Sequence, residues 1–177
     1  MTSKFVRFIA CLSMACVTST ASLAQQATSE NRVGVNADWN VFQGDSPKEC
    51  WGVSQPKETV NTRDGRVVAV RRSDIQLFVF YRPEVGKEGQ VTFTGGYPFA
   101  PGSTVSMVIG DSNFDMITDG EWAWPAPGDD GNIISAMKRG ANAVLTARSA
   151  RGTQTKDTFS LLGFTAAVED ADKRCNN

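Results

Sequence analysis

The chain has 177 residues, 18 basic and 19 acidic side chains, a net charge of −1 and no histidine. Near-balanced charge argues against a nucleic-acid partner, which calls for clustered basic surface, and against strong electrostatic attachment to anionic lipid. Without histidine, Ser-His-Asp and Cys-His catalysis, the HExxH metalloprotease helix and the common zinc catalytic sites each lose a required member.

Met1 to Ala24 reads as an export signal. Lys4 and Arg7 form a basic start, Phe8 to Val17 is a short apolar run, and Ser22 and Ala24 place small residues where a signal peptidase reads. The run is about ten residues, half of what a membrane-spanning helix needs. Cleavage releases a mature chain from Gln25, slightly more acidic than the precursor and of a length that suits one domain. No second apolar stretch approaches membrane length, so no transmembrane segment is expected in the mature chain. Met14-Ala15-Cys16 is loosely lipobox-like, but Ser13 replaces the expected leucine. Removal of the signal discards Cys11 and Cys16 and leaves Cys50 and Cys175 in an oxidising compartment. One intramolecular pairing of these two is the expectation. An intermolecular bond is the alternative, and no CxxC spacing supports a redox role.

Residues 25–37 are polar and lack apolar periodicity, and are read as a flexible leader ahead of a single domain over 38–177. Trp39 and Val41 alternate with Asn40 and Phe42 in a short strand. Asp45-Ser46-Pro47 then turns the chain into Cys50-Trp51-Gly52-Val53. Lys57 to Asp64 reads as a polar loop ending in the Asp64-Gly65 turn. Arg66 to Val70 and Ile75 to Tyr81 are rich in β-branched and aromatic residues, so a hairpin is expected, with Arg71-Arg72-Ser73-Asp74 as its connection.

Gln90 to Thr94 is the next predicted strand, followed by a breaker-dense turn from Gly95 to Gly102. Thr104 to Ile109 and Asn113 to Thr118 repeat the hairpin pattern around Gly110-Asp111-Ser112, and Glu121 to Trp124 is a short aromatic strand stopped by Pro125. Ile133, Ile134 and Met137 then share one face of a short helix. Asp129 or Asp130 would cap it and Gly140 would close it. Ala143 to Ala147 and Thr153 to Leu161 make a last strand pair, and Phe164, Ala167, Val168 and Ala171 have helical spacing up to Cys175. The pattern predicts a mainly β, antiparallel, sandwich-like domain with one or two short helices, or a curled sheet with helices packed on it.

Candidate chemistry is sparse. Asp111, Asn113 and Asp115 begin like a calcium loop, but Met116 stands where the loop needs glycine and Trp122 where it needs glutamate, so a hairpin turn is expected and no metal. Asp115, Asp119 and Glu121 could supply the paired carboxylates of glycoside hydrolysis, although nothing places two of them across a cleft. The strongest binding-type signal is aromatic. Trp39 and Trp51 are expected in the core. Trp122 and Trp124 share one face of a strand and, with Tyr97 and Phe99 of the long turn, could fill a core or anchor a partner. Arg63, Arg66, Arg71, Arg72 and Arg82 read as a solvated sheet edge flanked by acids.

Toward the C-terminus, Thr158 to Ala167 (TFSLLGFTAA) resembles the signature of the invasion-associated locus B family of exported bacterial proteins. Ala136-Met137-Lys138-Arg139-Gly140 is similar to that family's basic, glycine-closed helix, and Asp38 to Phe42 followed by Cys50-Trp51 resembles its opening. The likeness runs in matching order over 38–175. It implies a β-sandwich-like exported protein of a Gram-negative, alphaproteobacterial cell, in a family whose founding members are tied to host-cell entry and which has no established enzymatic activity. The sequence departs from the family pattern at Gln43, where many relatives carry cysteine, and over Phe114 to Ala123, which lacks their cysteine pair. Neither their disulfide map nor a pathogenic role carries over.

The leading expectation is therefore a non-enzymatic periplasmic, surface or secreted protein without cofactor. It would bind an envelope or extracellular partner through Trp122, Trp124, Tyr97 and Phe99. A carboxylate-dependent hydrolase of envelope glycan and a structural or stress-related envelope component are the alternatives.

Overall fold

Strands dominate because short runs of β-branched and aromatic residues alternate with polar ones and are broken every few residues by glycine-bearing turns. The structure is a computed structural model and describes residues 31–176, so the export segment and the first part of the leader lie outside the described residues. β1 (Arg32–Asn36), β2 (Trp39–Asp45) and β3 (Lys48–Ser54) form a meander. β4 (Glu58–Arg63) and β5 (Arg66–Val67) form a small hairpin, and β6 (Gln76–Arg82) leads through a short 3₁₀ turn to β7 (Lys87–Thr94). β8 (Thr104–Ile109), β9 (Ser112–Asp119) and β10 (Trp122–Pro125) follow, then helix α1 (Asp130–Arg139), β11 (Asn142–Arg148), β12 (Gln154–Ser160) and helix α2 (Phe164–Asn176).

All pairings are antiparallel, and they join the described strands into one sheet in the order β1-β2-β3-β6-β7-β10-β9-β8-β11-β12-β4-β5. The expected mainly β class with two helices is what the chain adopts, but as one continuous sheet. That sheet curls until its ends meet. Phe93 of β7 packs edge-on against Phe159 of β12 at 6.0 Å. The Trp39 indole N–H donates to the Ser160 carbonyl (3.0 Å), and the Asp38 N–H donates to that of Leu162 (3.2 Å). Gly163, at φ +86°, lies against the Asn36 carbonyl so closely that a Cβ there would collide with it. This glycine of the C-terminal motif is where the first strands close over the last.

Two segments depart from the sequence reading. Arg32–Asn36, expected in the flexible leader, is a strand, because β2 offers it a partner over Arg32↔Phe42 to Asn36↔Trp39. Lys57 to Asp64 contains β4, which pairs with β12 over Thr59↔Asp157 and Asn61↔Thr155. A polar edge strand carries no apolar alternation to announce it. In consequence Arg66 to Tyr81 is no hairpin: β5 pairs with β4 at one edge of the sheet, whereas β6 pairs with β3 and β7 in its middle. The connection between them crosses the open end of the curl.

The inner face carries Val41, Leu77, Val79, Val91, Phe93, Met107, Leu145 and Phe159, all buried. Both helices pack on this side. From α2, Phe164 meets Trp39 edge-on at 4.9 Å, and Ala167 and Val168 lie over Gly52 of β3. A disulfide from Cys50 in β3 to Cys175 fastens the far end of α2, with Cα atoms 5.7 Å apart. It closes a loop with a sequence separation of 125, which in the chain-entropy account stabilises by up to about 5 kcal/mol. Helix α1 buries Ile133, Ala136 and Met137, as its spacing predicts. Its capping differs from expectation: Asp129 makes no side-chain cap, and the Asp130 carboxylate accepts the Val91 N–H (2.7 Å), tying the helix to β7. Gly140 has φ −84° and is needed for space, since a Cβ would meet Ile109 at 2.6 Å.

Candidate functional site

Strand alternation puts the second face of the sheet opposite the helices. On β2, Phe42 points away from Trp39 and Val41. On β3, Trp51 and Val53 point away from Cys50 and Gly52; on β6, Phe78 and Phe80 point away from Leu77, Val79 and Tyr81. Register then aligns them. Phe42 is opposite Trp51 and Trp51 opposite Phe80, while Val53 is opposite Phe78.

The rings form a continuous series. Phe42 stacks on Trp51 at 5.4 Å, Trp51 is 6.0 Å from Phe80, Phe80 stacks on Phe78 at 5.2 Å, and Phe78 lies 5.9 Å from Trp122 of β10. Thr92 and Thr94 of β7 stand between, opposite Phe78 and Trp122. Trp122 is 40% exposed and Trp124, next on the same face, is half-buried, whereas Ala123 between them points into the core. Ile117 of β9, opposite Trp124, adds an exposed aliphatic edge. At the opposite corner the Arg82 guanidinium sits over the Phe80 ring, 4.4 Å from its centroid, held by both Glu49 oxygens (2.7 and 3.2 Å). Each ring contact of this kind stabilises by about 0.5–1.5 kcal/mol beyond area burial. The band is therefore a shaped surface, with no helix on it.

The proposed aromatic residues divide. Trp122 and Trp124 lie on this outer face. Phe99 does not: it is 5% exposed, packs against Phe93 at 6.1 Å, and belongs to the core. Its N–H donates to the Gly120 carbonyl (2.9 Å), which draws the long turn against the β9–β10 hairpin and the ring inward. Tyr97 lines a separate cleft. Its hydroxyl shares a 2.6 Å hydrogen bond with Thr155, its ring lies under the Arg72 guanidinium at 5.0 Å, and burial pushes its pKa up, opposed by the Thr155 hydrogen bond and the Arg72 charge. Trp51 also departs from expectation: it is half-buried on the outer face, while Trp39 is fully buried as predicted.

The basic segment divides: Arg63 and Arg66 lie exposed in the edge hairpin β4–β5 and Arg71 is exposed, as expected, whereas Arg72 is buried. Arg72 donates to both oxygens of Asp157 (2.7 and 2.6 Å), to the Gly95 carbonyl (2.8 Å) and to Asn61 (3.3 Å). The two side chains are 6% and 0% exposed. Burial pushes the Asp157 carboxyl up, and Arg72 pulls it back down. Of the three carboxylates considered for hydrolysis, Asp115 and Asp119 lie exposed on the outer face of β9 and Glu121 lines the Tyr97 cleft. Asp111 sits in the β8–β9 hairpin turn, as expected. Among the described residues no group of three or more Asp, Glu or Cys side chains could hold a metal.

This arrangement of a curled sheet, two inner helices and a glycine-closed C-terminal motif can be set beside known proteins. The family described as invasion associated locus B (IalB) protein matches residues 39–172. The chain belongs to the invasion-associated locus B family. A crystal structure of invasion associated protein B from Bartonella henselae is similar, with a TM-score of 0.54 and 17% identity, covering 81% of this chain and 98% of that one. At that identity the likeness shows that the invasion-associated locus B fold is shared. No curated protein matches the sequence. Among the described residues no helix is long and apolar enough to cross a membrane.

Residues that the sequence reading missed are Phe42, Trp51 and Phe80, partly exposed on the outer face, and Phe78, buried among them. In β6, apolar side chains occupy both alternating sets, so period two identifies the faces without saying which one is covered. Phe42 carried the usable signal: it alternates with Trp39 and Val41, and an aromatic residue out of phase with a core strand is a surface aromatic.

Proposed function

We propose that this is an exported, non-enzymatic binding protein of the cell envelope, periplasmic or presented outside the cell, which docks a protein partner on its outer aromatic face. The observation that carries this reading is the unbroken ring series Phe42-Trp51-Phe80-Phe78-Trp122 on a face that neither helix covers. Trp122 and Ile117 are exposed there, Phe42, Trp51, Phe80 and Trp124 are partly so, and Phe78 is buried between them. Apolar surface of this kind marks interaction sites, and tryptophan, tyrosine and arginine anchors dominate their energetics. The series crosses β2, β3, β6, β7 and β10, at ~4.8 Å per strand roughly 20 Å across the outer face of the sheet. Small ligands favour concave pockets, whereas the outer side of a curled sheet is better suited to one side of a protein–protein interface. The export segment read from Met1 to Ala24 and the disulfide agree with an oxidising compartment. The name of the Bartonella henselae protein that shares the fold, invasion associated protein B, supports an envelope or extracellular partner.

The test is a photocrosslinking amino acid at position 122 in intact cells, with position 156, exposed on β12, as the control. A discrete protein adduct from 122 and none from 156 is expected. The same adducts from both positions, or none from 122, would contradict the assignment.

A further inference from the structure

We infer that the cleft beside Tyr97 is a binding site for a phosphoryl group carried on a small molecule. This goes beyond the outer-face reading and is independent of it. The cleft has a volume of about 550 Å³ and opens between the Ala69–Arg72 crossing, the Gly96–Pro98 turn and the β11–β12 turn. That size is in the range of small-ligand sites. Its charge is lopsided: Arg63, Arg71, Arg72 and Arg151 line it, against Glu121 alone. Buried Asp157 matches Arg72 and lies beneath it. Arg71 and Arg151 have no ion pair or hydrogen bond among the described residues, and Arg63 reaches only the Thr153 hydroxyl (2.7 Å). Three arginines without a counter-charge thus line the cleft against one carboxylate, in a chain whose net charge is −1.

Cations that line one cleft favour an anion within it. Guanidinium groups pair with phosphate bidentately and are more weakly hydrated than ammonium, so an all-arginine set favours phosphoryl oxygens over a diffuse electrostatic role. The floor is preorganised. Arg72 is fixed by four hydrogen bonds and covers Tyr97, whose hydroxyl is held by Thr155. Gly96, at φ +73°, brings the turn against the Ser73 backbone, where a Cβ would come within 2.5 Å of the carbonyl oxygen. The crossing segment and the turn are therefore locked together, and the wall they form is rigid.

Calorimetric titration of the purified mature protein with pyrophosphate tests this, with glucuronate as the carboxylate probe and glucose as the uncharged one. Saturable one-to-one binding of pyrophosphate is expected, weakened at least tenfold in Arg71→Gln/Arg151→Gln and unchanged within twofold in Arg66→Gln/Lys156→Gln, which removes the same charge elsewhere. Glucose should not bind. Equal weakening in both double variants would reduce the effect to general charge attraction. Absence of saturable pyrophosphate binding, or preference for glucuronate over pyrophosphate, would overturn the phosphoryl assignment.

Discussion

The two faces of the curled sheet carry the same kind of side chain and meet different fates. Phe93 and Phe159 on the inner face are 6.0 Å apart and fully buried; Trp51 and Phe80 on the outer face are also 6.0 Å apart and are only partly buried. Strand chemistry is the same on both sides, so it cannot be what separates core from surface. The separation comes from where the helices go. Cys175, Ala167 and Val168 bring α2 onto the inner face, and Asp130 ties α1 there through the Val91 N–H. Aromatic content alone therefore does not identify a core; coverage does.

The largest effect expected from breaking this arrangement is at the closure of the inner face. Gly163→Ala places a Cβ against the Asn36 carbonyl in a backbone conformation that L residues avoid. A loss of at least about 4 kcal/mol is expected, since strain and displacement of β1 add. Gly120, in a turn with nothing within 4 Å of a Cβ, should lose only about 1–2 kcal/mol on the same change, from its positive φ alone. Urea unfolding of the two variants compares them. Next in size is Asp157→Ala, which leaves Arg72 buried without its counter-charge. Breaking such a pair costs about 3–5 kcal/mol, and circular dichroism melts should show it as a loss as large as that of a core truncation.

The smallest effect concerns the seam where β2 begins. The Lys57 ammonium hydrogen-bonds Asp38, which with Ser160 holds the Asp38 carboxyl below its usual range. A lowered folded-state pKa means stability that is present above the ordinary carboxylate range and lost as pH falls through it. Lys57→Met should therefore melt slightly below the native chain at pH 7, and the gap should vanish toward pH 2 as both chains lose the charge. A gap that stays constant with pH would assign the effect to packing.

Much of the fold was legible in the chain because strands and turns announce themselves locally. The β8–β9 hairpin, α1, β11, β12 and α2 all follow from alternation, helical spacing and glycine-bearing turns. What was hidden depends on partners distant in sequence. β1 and β4 are strands only because β2 and β12 offer edges to polar segments, and Arg72 is buried because Asp157, far along the chain, waits for it. The site was half legible: the spacing of Trp122 and Trp124 put them on one face, and that face is the outer one. Phe99 could not be separated from them by spacing, since its inward turn is set by the Gly120 carbonyl. The arginine cleft was invisible for the same reason, being assembled from three segments.

The central claim is that the outer aromatic face is spare to folding and kept for recognition. The thermal unfolding midpoint of purified Trp122→Ala/Trp124→Ala, measured beside Trp39→Ala, tests it most directly. Trp39→Ala should lose about 3–5 kcal/mol, a fall of roughly 10–15 °C for a domain of this size. The double variant should lose clearly less than Trp39→Ala, because Trp122 is 40% exposed and Trp124 only half-buried, whereas Trp39 is fully buried. Unfolding or a fall as large as that of Trp39→Ala in the double variant would make these tryptophans core residues and contradict the account.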